Sequence, residues 1–389
     1  MEKFSAWRDP GTGVQASVIT SLIGISSNFI SSALFDARAP PINKIIGRLR
    51  SCCFWNSIRR VQEYAGLNIA RVICGIPPGL RSIAILGRIF LCLLGFWSIS
   101  TYVASRKNRR ADTATSDDWS PGPGDIIVSN WASWIEVLWL AVRYNPQFVL
   151  PVCASPTLSA TQTTAPATPG RRTGTGSAQV STASAARRQQ ILGFRTASLL
   201  EMILATGHVP PYGSSTSTVM ATIEDIRAQC DRPLVVLPEC TTSNGRALIR
   251  FADVFVAGKG KHIKHPVKGF KMYIMCARYD PPTITTPSPT HSIPSQSGTL
   301  PNPAPHIVKL LFAPALAQSL SIRLVAPSDS PSGSFMASEV ILDNGIAPAD
   351  EISEACAVLM AQASKLKRVG MGWEDKAAFL DFYRKRKSL

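Results

Sequence analysis

The residues best suited to chemistry stand together in Leu234-Val-Val-Leu-Pro-Glu-Cys-Thr-Thr-Ser-Asn-Gly-Arg246, which runs on into Ala-Leu-Ile-Arg-Phe251. Four apolar residues, Leu234 to Leu237, stop at Pro238. A carboxylate (Glu239), a thiol (Cys240), the hydroxyls of Thr241, Thr242 and Ser243, the amide of Asn244 and the guanidinium of Arg246 follow at once. A short apolar run bounded by proline reads as a buried strand. Polar groups at the carboxyl end of such a strand occupy the place where open α/β sheets build their sites. Thr241 and Thr242 offer hydroxyls, and Arg246 offers a planar fork suited to a phosphate. The same residues also suit a plain polar loop with Asn244-Gly245 as its turn. Cys240 is a conceivable acyl-accepting thiol, which would need a cation such as Arg246 to lower its pKa.

A second group is Asn130-Trp131-Ala-Ser-Trp-Ile-Glu136, between a strand over Asp125–Asn130 and a helix that starts at Ser133. The apolar positions Ile135, Leu138, Trp139 and Val142 fall at i, i+3, i+4 and i+7, the helical period. Glu136 has two readings. It is an acid/base or orienting carboxylate, or it closes a Ser133–Glu136 capping box worth about 1 kcal/mol. Trp131 cannot act as a base, because an indole N–H donates and accepts nothing. His208 is a candidate base between two folded-looking segments, and equally a turn histidine. His262 and His265 lack further ligands, so no metal site is expected.

The elements that position these groups follow from the rest of the chain. Its 389 residues carry a net charge of +16 and a pI near 9.7, which calls for an anionic partner. Without zinc-finger spacing or an RNA-binding signature, anionic lipid is preferred and no nucleic-acid partner is expected. Nine cysteines without a CxxC pair suit a reducing compartment. Residues 1–110 read as an amino-terminal membrane-associated helical region. It holds a diluted apolar run, Val14 to Phe35, without the features of a secretory signal. A basic amphipathic segment, Ile42 to Cys74, suits a membrane surface or a solvated face. Ile83 to Val103 is long and apolar enough for a bilayer crossing, with Arg88 inside it favouring a re-entrant or interfacial placement, and it also suits a buried helix of a soluble core. The Arg106-Lys-Asn-Arg-Arg110 cluster favours the cytosolic side.

Residues 124–389 read as an α/β domain, a mixed sheet flanked by helices, with disordered insertions at about 154–187 and 283–305. Strands are expected over Met272–Pro281 and Ser321–Ala326. Helices are expected over Ala197–Ala205, Ser217–Cys230 and Ala349–Leu366, and a helix or re-entrant apolar segment over Ile307–Leu316. Lys385 and Lys387 stand in the arrangement of a dilysine retrieval signal for the endoplasmic reticulum.

The Leu234–Arg246 stretch resembles the Pro-Glu-Gly-Thr motif of the glycerolipid acyltransferases, the lysophosphatidic acid acyltransferase family. Thr241-Thr-Ser-Asn-Gly-Arg246 and the opening Glu2-Lys-Phe-Ser-Ala-Trp-Arg-Asp-Pro-Gly-Thr-Gly13 look like its fungal branch associated with lipid droplets and vacuolar sorting. Asn130 to Glu136 stands where that family carries Asn-His-x4-Asp, with Trp131 in place of the histidine that deprotonates the acceptor hydroxyl. Ile191-Leu-Gly-Phe-Arg195 stands at the second motif, whose arginine contacts the acceptor phosphate. The resemblance implies a membrane-bound enzyme that moves a fatty acyl chain from acyl-CoA, as co-substrate and without a further cofactor, to a lysophospholipid, with lysophosphatidic acid the first choice. It implies catalytic roles for Glu136 and Glu239, and His208, read from its position alone, is the candidate to replace the missing base. Asn130, Trp131, Arg195, Thr241, Thr242, Asn244 and Arg246 would bind substrate. The site is expected on the cytosolic face of the endoplasmic reticulum or of a lipid droplet. Trp131 keeps open a second reading, an inactive lipid-binding or scaffold protein at the same membranes.

Overall fold

The computed structural model describes residues 78–104, 119–153, 189–212, 221–264, 267–283, 286–295, 300–313, 317–333 and 349–387. The expected amphipathic segment before residue 78, the Arg106–Arg110 cluster and the insertion at 154–187 lie outside these residues.

Seven strands form one sheet: β1 (Ser100–Ala104), β2 (Ile126–Ser129), β3 (Gln147–Cys153), β4 (Ile191–Ala197), β5 (Leu234–Val236), β7 (Met272–Tyr279) and β8 (Leu320–Val325). Their order is β1-β8-β7-β2-β5-β3-β4. The four central strands β7, β2, β5 and β3 run parallel, and β8 and β4 flank them antiparallel. Short β6 (Ala247–Leu248) and β9 (Lys367–Arg368) pair separately. Central parallel strands are covered on both faces, so they are mostly apolar. Ile126, Ile127 and Val128 are all fully buried, and so are Leu234 and Val235.

Strand alternation divides the core into two layers. Ile127, Tyr273, Met275 and Ala277 face a layer that includes Leu91, Leu94, Trp134, Ile135 and Leu310. It draws on α1 (Pro78–Leu93), α2 (Trp134–Tyr144), α3 (Leu199–Ala205) and α5 (Ala304–Leu311). Ile126, Val128, Met272, Ile274 and Cys276 face the other layer, filled by α4 (Ile223–Gln229), α6 (Glu351–Ser364) and the coil carrying Phe251, Val254 and Phe255. The carboxyl-terminal helix is α7 (Trp373–Lys387). The α/β class and the mixed sheet flanked by helices agree with the sequence. So do the strands over Met272–Pro281 and Ser321–Ala326.

Two expectations are corrected. Ile83 to Val103 is not one continuous helix. Leu93 ends α1, Gly95 turns the chain at φ 95°, and Ser100–Ala104 joins the sheet edge as β1 beside β8. Part of its apolar content goes into packing: Ala84, Leu91, Leu94 and Phe96 are buried, while Leu86, Ile89 and Leu93 stay exposed. A Cβ at Gly87 would lie 2.5 Å from Val142 Cγ2, so glycine is what lets α1 approach α2 this closely. Among the described residues no helix is long and apolar enough to cross a membrane.

The second correction concerns 283–305. Residues 286–295 and 300–305 hold defined positions, and α5 begins within the span expected to be disordered. Hydrogen bonds order this segment more than apolar burial does. Ser133 Oγ donates to Pro289 O at 2.7 Å, His291 N to Ala132 O at 2.8 Å and Thr242 Oγ1 to His291 O at 2.8 Å.

Candidate functional site

Because β2 and β5 are parallel neighbours, the chain leaves both at the same edge of the sheet. Asn130 follows β2, and its carboxamide makes a paired bond to Ala277 of β7. Nδ2 donates to Ala277 O at 3.0 Å, and Ala277 N donates to Oδ1 at 2.7 Å. Glu239, just beyond β5, accepts from Trp131 N at 2.7 Å through Oε2 and from Ile249 N at 2.9 Å through Oε1. Ser243 N closes the junction on Trp131 O at 2.7 Å. One buried carboxylate thus fastens the Asn130 turn to the loop 238–249. Burial pushes the Glu239 carboxyl up to about 8, against the pull of its two N–H donors.

Glu136 is buried beside it. It accepts from Ser133 N at 2.5 Å, completing the capping box, and also from Ala132 N and the Tyr279 hydroxyl. Burial raises it to about 7 while these donors lower it. The capping role is therefore present, and Tyr279 adds a partner that helix capping does not require.

Thr241 and Thr242 are held by a residue that motif reading missed. Lys376, inside α7 and buried, donates through Nζ to Thr241 Oγ1 and Thr242 O, both at 2.7 Å. Burial lowers its pKa to about 7, and the Glu239 carboxylate works the other way. Thr241 Oγ1 donates to His208 O at 2.7 Å, and Thr242 Oγ1 donates to His291 O. Both hydroxyls are therefore engaged within the protein.

The remaining expected residues divide between this centre and its surroundings. Trp131 sits in the centre, 1% exposed, with its indole 6.3 Å from the Tyr212 ring and no hydrogen-bond partner on Nε1. Asn244 is buried and takes Arg246 N on Oδ1 at 3.1 Å, a turn contact, while the Arg246 side chain is exposed beyond it. The fork and the polar centre are thus not joined by a direct contact. Arg195 lies on the outer strand β4, paired with Glu201 at 2.9 Å and away from the centre. His208 reaches the centre through its backbone carbonyl. Burial, then Arg384 and Lys376, lower its imidazole pKa.

Cys240 does not have the properties of an activated thiol. It is buried, and burial followed by the influence of Cys153, Glu374 and Glu239 raises its pKa well above the usual range. It does adopt the left-handed backbone, at φ 51°, where a glycine would be unstrained.

Two further histidines close the centre from the side. His306 takes Trp134 Nε1 on Nδ1 at 3.0 Å and meets Ser288 O through Nε2 at 2.9 Å. The His291 ring stacks on it at 4.6 Å and bonds Asn302 Oδ1 through Nε2 at 2.8 Å. Burial pushes His291 down to about 3 and His306 to about 4, so both are neutral at physiological pH. Both stand in or just beyond the 283–305 span, and no spacing in the sequence ties them to Asn130 or Glu239.

A cavity of about 290 Å³ is lined by none of the centre's own side chains. Its wall includes Arg250, next to Ile249, together with Phe251, Trp373 and Glu374, and Arg250 pairs with Glu374 at 3.3 Å. Among the described residues no three His, Cys, Asp or Glu side chains gather as a metal site. No family model matches the chain, and no curated protein or solved structure is similar enough to count as a match.

Proposed function

We propose that this chain transfers a fatty acyl group from acyl-CoA to the free hydroxyl of a lysophospholipid, with lysophosphatidic acid, giving phosphatidic acid, the first choice of acceptor. The observation that carries the reading is the contact between the two stretches that resemble acyltransferase motifs. Glu239 Oε2 accepts from Trp131 N at 2.7 Å, so the two form one polar centre at the ends of parallel strands. In this reading Glu239 and Glu136 hold the backbone of the acceptor site in shape. Arg246, exposed at its rim, meets the phosphate.

A membrane-surface location fits the outer face of the same helical layer. Leu86, Ile89 and Leu93 form an exposed stripe on α1, and Val308, Leu311 and Phe312 form another at α5; Leu86 is 66% and Phe312 70% exposed. Exposed apolar clusters on a strongly cationic chain suit an anionic bilayer surface. We place the protein at the endoplasmic reticulum or a lipid droplet, with the α/β domain in the cytosol.

A second reading, an inactive lipid-binding or scaffold protein, is favoured by one observation. Trp131 fills the motif's base position with a buried indole, and the surrounding hydroxyls and carboxylates already have protein partners. Detergent-solubilised protein given radiolabelled oleoyl-CoA and lysophosphatidic acid distinguishes the two. Phosphatidic acid formation that Glu239→Ala abolishes supports the transferase. Lipid retained without turnover supports the scaffold.

A further inference from the structure

We propose that His291, carried on the 286–295 loop, is the general base of the transfer and takes the role that Trp131 cannot perform. The proposal rests on the transferase reading and adds the one group that reading lacks. Three observations support it.

The first is position. His291 bonds both motif turns through its backbone: its N–H donates to Ala132 O, immediately after Trp131, and its carbonyl accepts from Thr242 Oγ1, each at 2.8 Å. A residue distant in sequence from both turns is thereby fixed at their junction.

The second is tautomer. Asn302 Nδ2 donates to Leu204 O at 3.0 Å and to Thr206 O at 2.5 Å, which orients the carboxamide. Its Oδ1 then accepts from Ser295 N at 2.8 Å and from His291 Nε2 at 2.8 Å. An amide oxygen accepts and does not donate, so Nε2 carries the proton and Nδ1 presents the lone pair. A base whose far nitrogen is held by an oriented oxygen follows the logic of hydrolytic triads. No hydrogen bond from a described residue occupies Nδ1.

The third is the contrast with His306. That ring uses both nitrogens, on Trp134 Nε1 and Ser288 O, and packs flat against His291 at 4.6 Å. It can hold the His291 ring in place but has no nitrogen left to take a proton. Burial and the neighbouring His306, with Lys376 and His208, keep His291 unprotonated in the free chain, while its bond to Asn302 works the other way.

The step balances as follows. His291 Nδ1 takes the proton of the acceptor hydroxyl while that oxygen forms a bond to the thioester carbonyl carbon. The tetrahedral intermediate collapses, the C–S bond breaks with its electron pair on sulfur, and the thiolate recovers the proton from Nδ1. The products are the ester and free CoA-SH.

The test uses the full chain in detergent with oleoyl-CoA and lysophosphatidic acid. His291→Gln keeps an amide donor but has no proton-accepting nitrogen. It is expected to lower kcat by about 10²–10⁴-fold with little change in KM, the usual loss when a general base is removed. His291→Gly is expected to recover turnover when imidazole is added, which a purely structural histidine would not show. A wild-type enzyme whose rate survives His291→Gln, or a glycine variant that imidazole leaves inert, overturns the base assignment while the transferase reading stands. A wild-type chain that binds both lipids without turnover, while Trp131→His is active, removes the transferase reading and the base with it.

Discussion

The two sides of the candidate site are built differently. One side consists of the turns after β2 and β5, where Asn130, Glu136, Glu239, Thr241 and Thr242 form a polar centre. Nearly every functional group there is bonded to the protein: Asn130 to β7, Glu239 to two backbone N–H groups, and the threonines to Lys376 and two carbonyls. The other side consists of the 286–295 loop and α7, which have no motif character, yet supply the buried Lys376 that holds the threonines and an imidazole whose Nδ1 has no hydrogen bond from a described residue. The residues that look chemical in the sequence set the shape of the site. In our proposal the group that moves the proton comes from a segment that looked ordinary.

Substitutions can break this contrast, and the largest effect is expected at Glu239. Glu239→Ala leaves the N–H groups of Trp131 and Ile249 buried without an acceptor, at about 1–3 kcal/mol each. A drop in urea midpoint of that size, with loss of any transferase activity, is the expected result. A variant as stable as the wild type would mean that the carboxylate does not fasten the two turns.

Lys376→Met is expected to cost less, roughly 1–3 kcal/mol, because it frees Thr241 Oγ1 and Thr242 O but also relieves a buried charge. Its clearest effect is on pH dependence. The folded pKa of Lys376, about 7, lies below the ordinary 10.5, so above pH 7 the unfolded chain binds the extra proton and stability rises with pH until about 10.5. Glu239 and Glu136 behave oppositely. Their folded pKa values of about 8 and about 7 lie above 4.5, so the folded chain holds the extra protons and stability falls as pH rises from about 4.5 through those values. Thermal melts across pH should therefore show least stability near neutrality. Lys376→Met should flatten the alkaline limb, and Glu239→Gln or Glu136→Gln the acidic one. An unchanged alkaline limb in Lys376→Met would contradict the burial of that ammonium.

Tyr279→Phe removes the hydroxyl that meets Glu136 and keeps the ring, so a loss of about 1 kcal/mol is expected in chemical denaturation. The smallest effect on stability belongs to Arg246→Ala, within about 0.5 kcal/mol, because the side chain is exposed. If its fork meets the acceptor phosphate, the KM for lysophosphatidic acid rises while the melting temperature stays put. An unaltered KM would remove Arg246 from the site.

The same contrast explains what could be read in advance. β2, β5, β7 and α2 were legible because apolar period and proline stops are local properties, and so was the Ser133–Glu136 cap. That Ile83 to Val103 breaks into a helix and a strand was not legible, because an apolar run alone does not reveal where its second half joins a sheet. Gly95 in its middle was the local sign that it turns. The 283–305 span was misread because its Pro, Ser and Thr content resembles disorder, while what orders it are bonds to Ala132, Ser133 and Thr242, far away in sequence. Lys376 gave no sign at all: it lies in a charged helix, and only the tertiary fold brings it to the threonines.

The most direct measurement is turnover of radiolabelled oleoyl-CoA and lysophosphatidic acid by the purified full chain, beside Glu239→Ala. Phosphatidic acid from the wild type and none from the variant is the predicted result. A wild type that binds lysophosphatidic acid yet forms no product over the same period would contradict it.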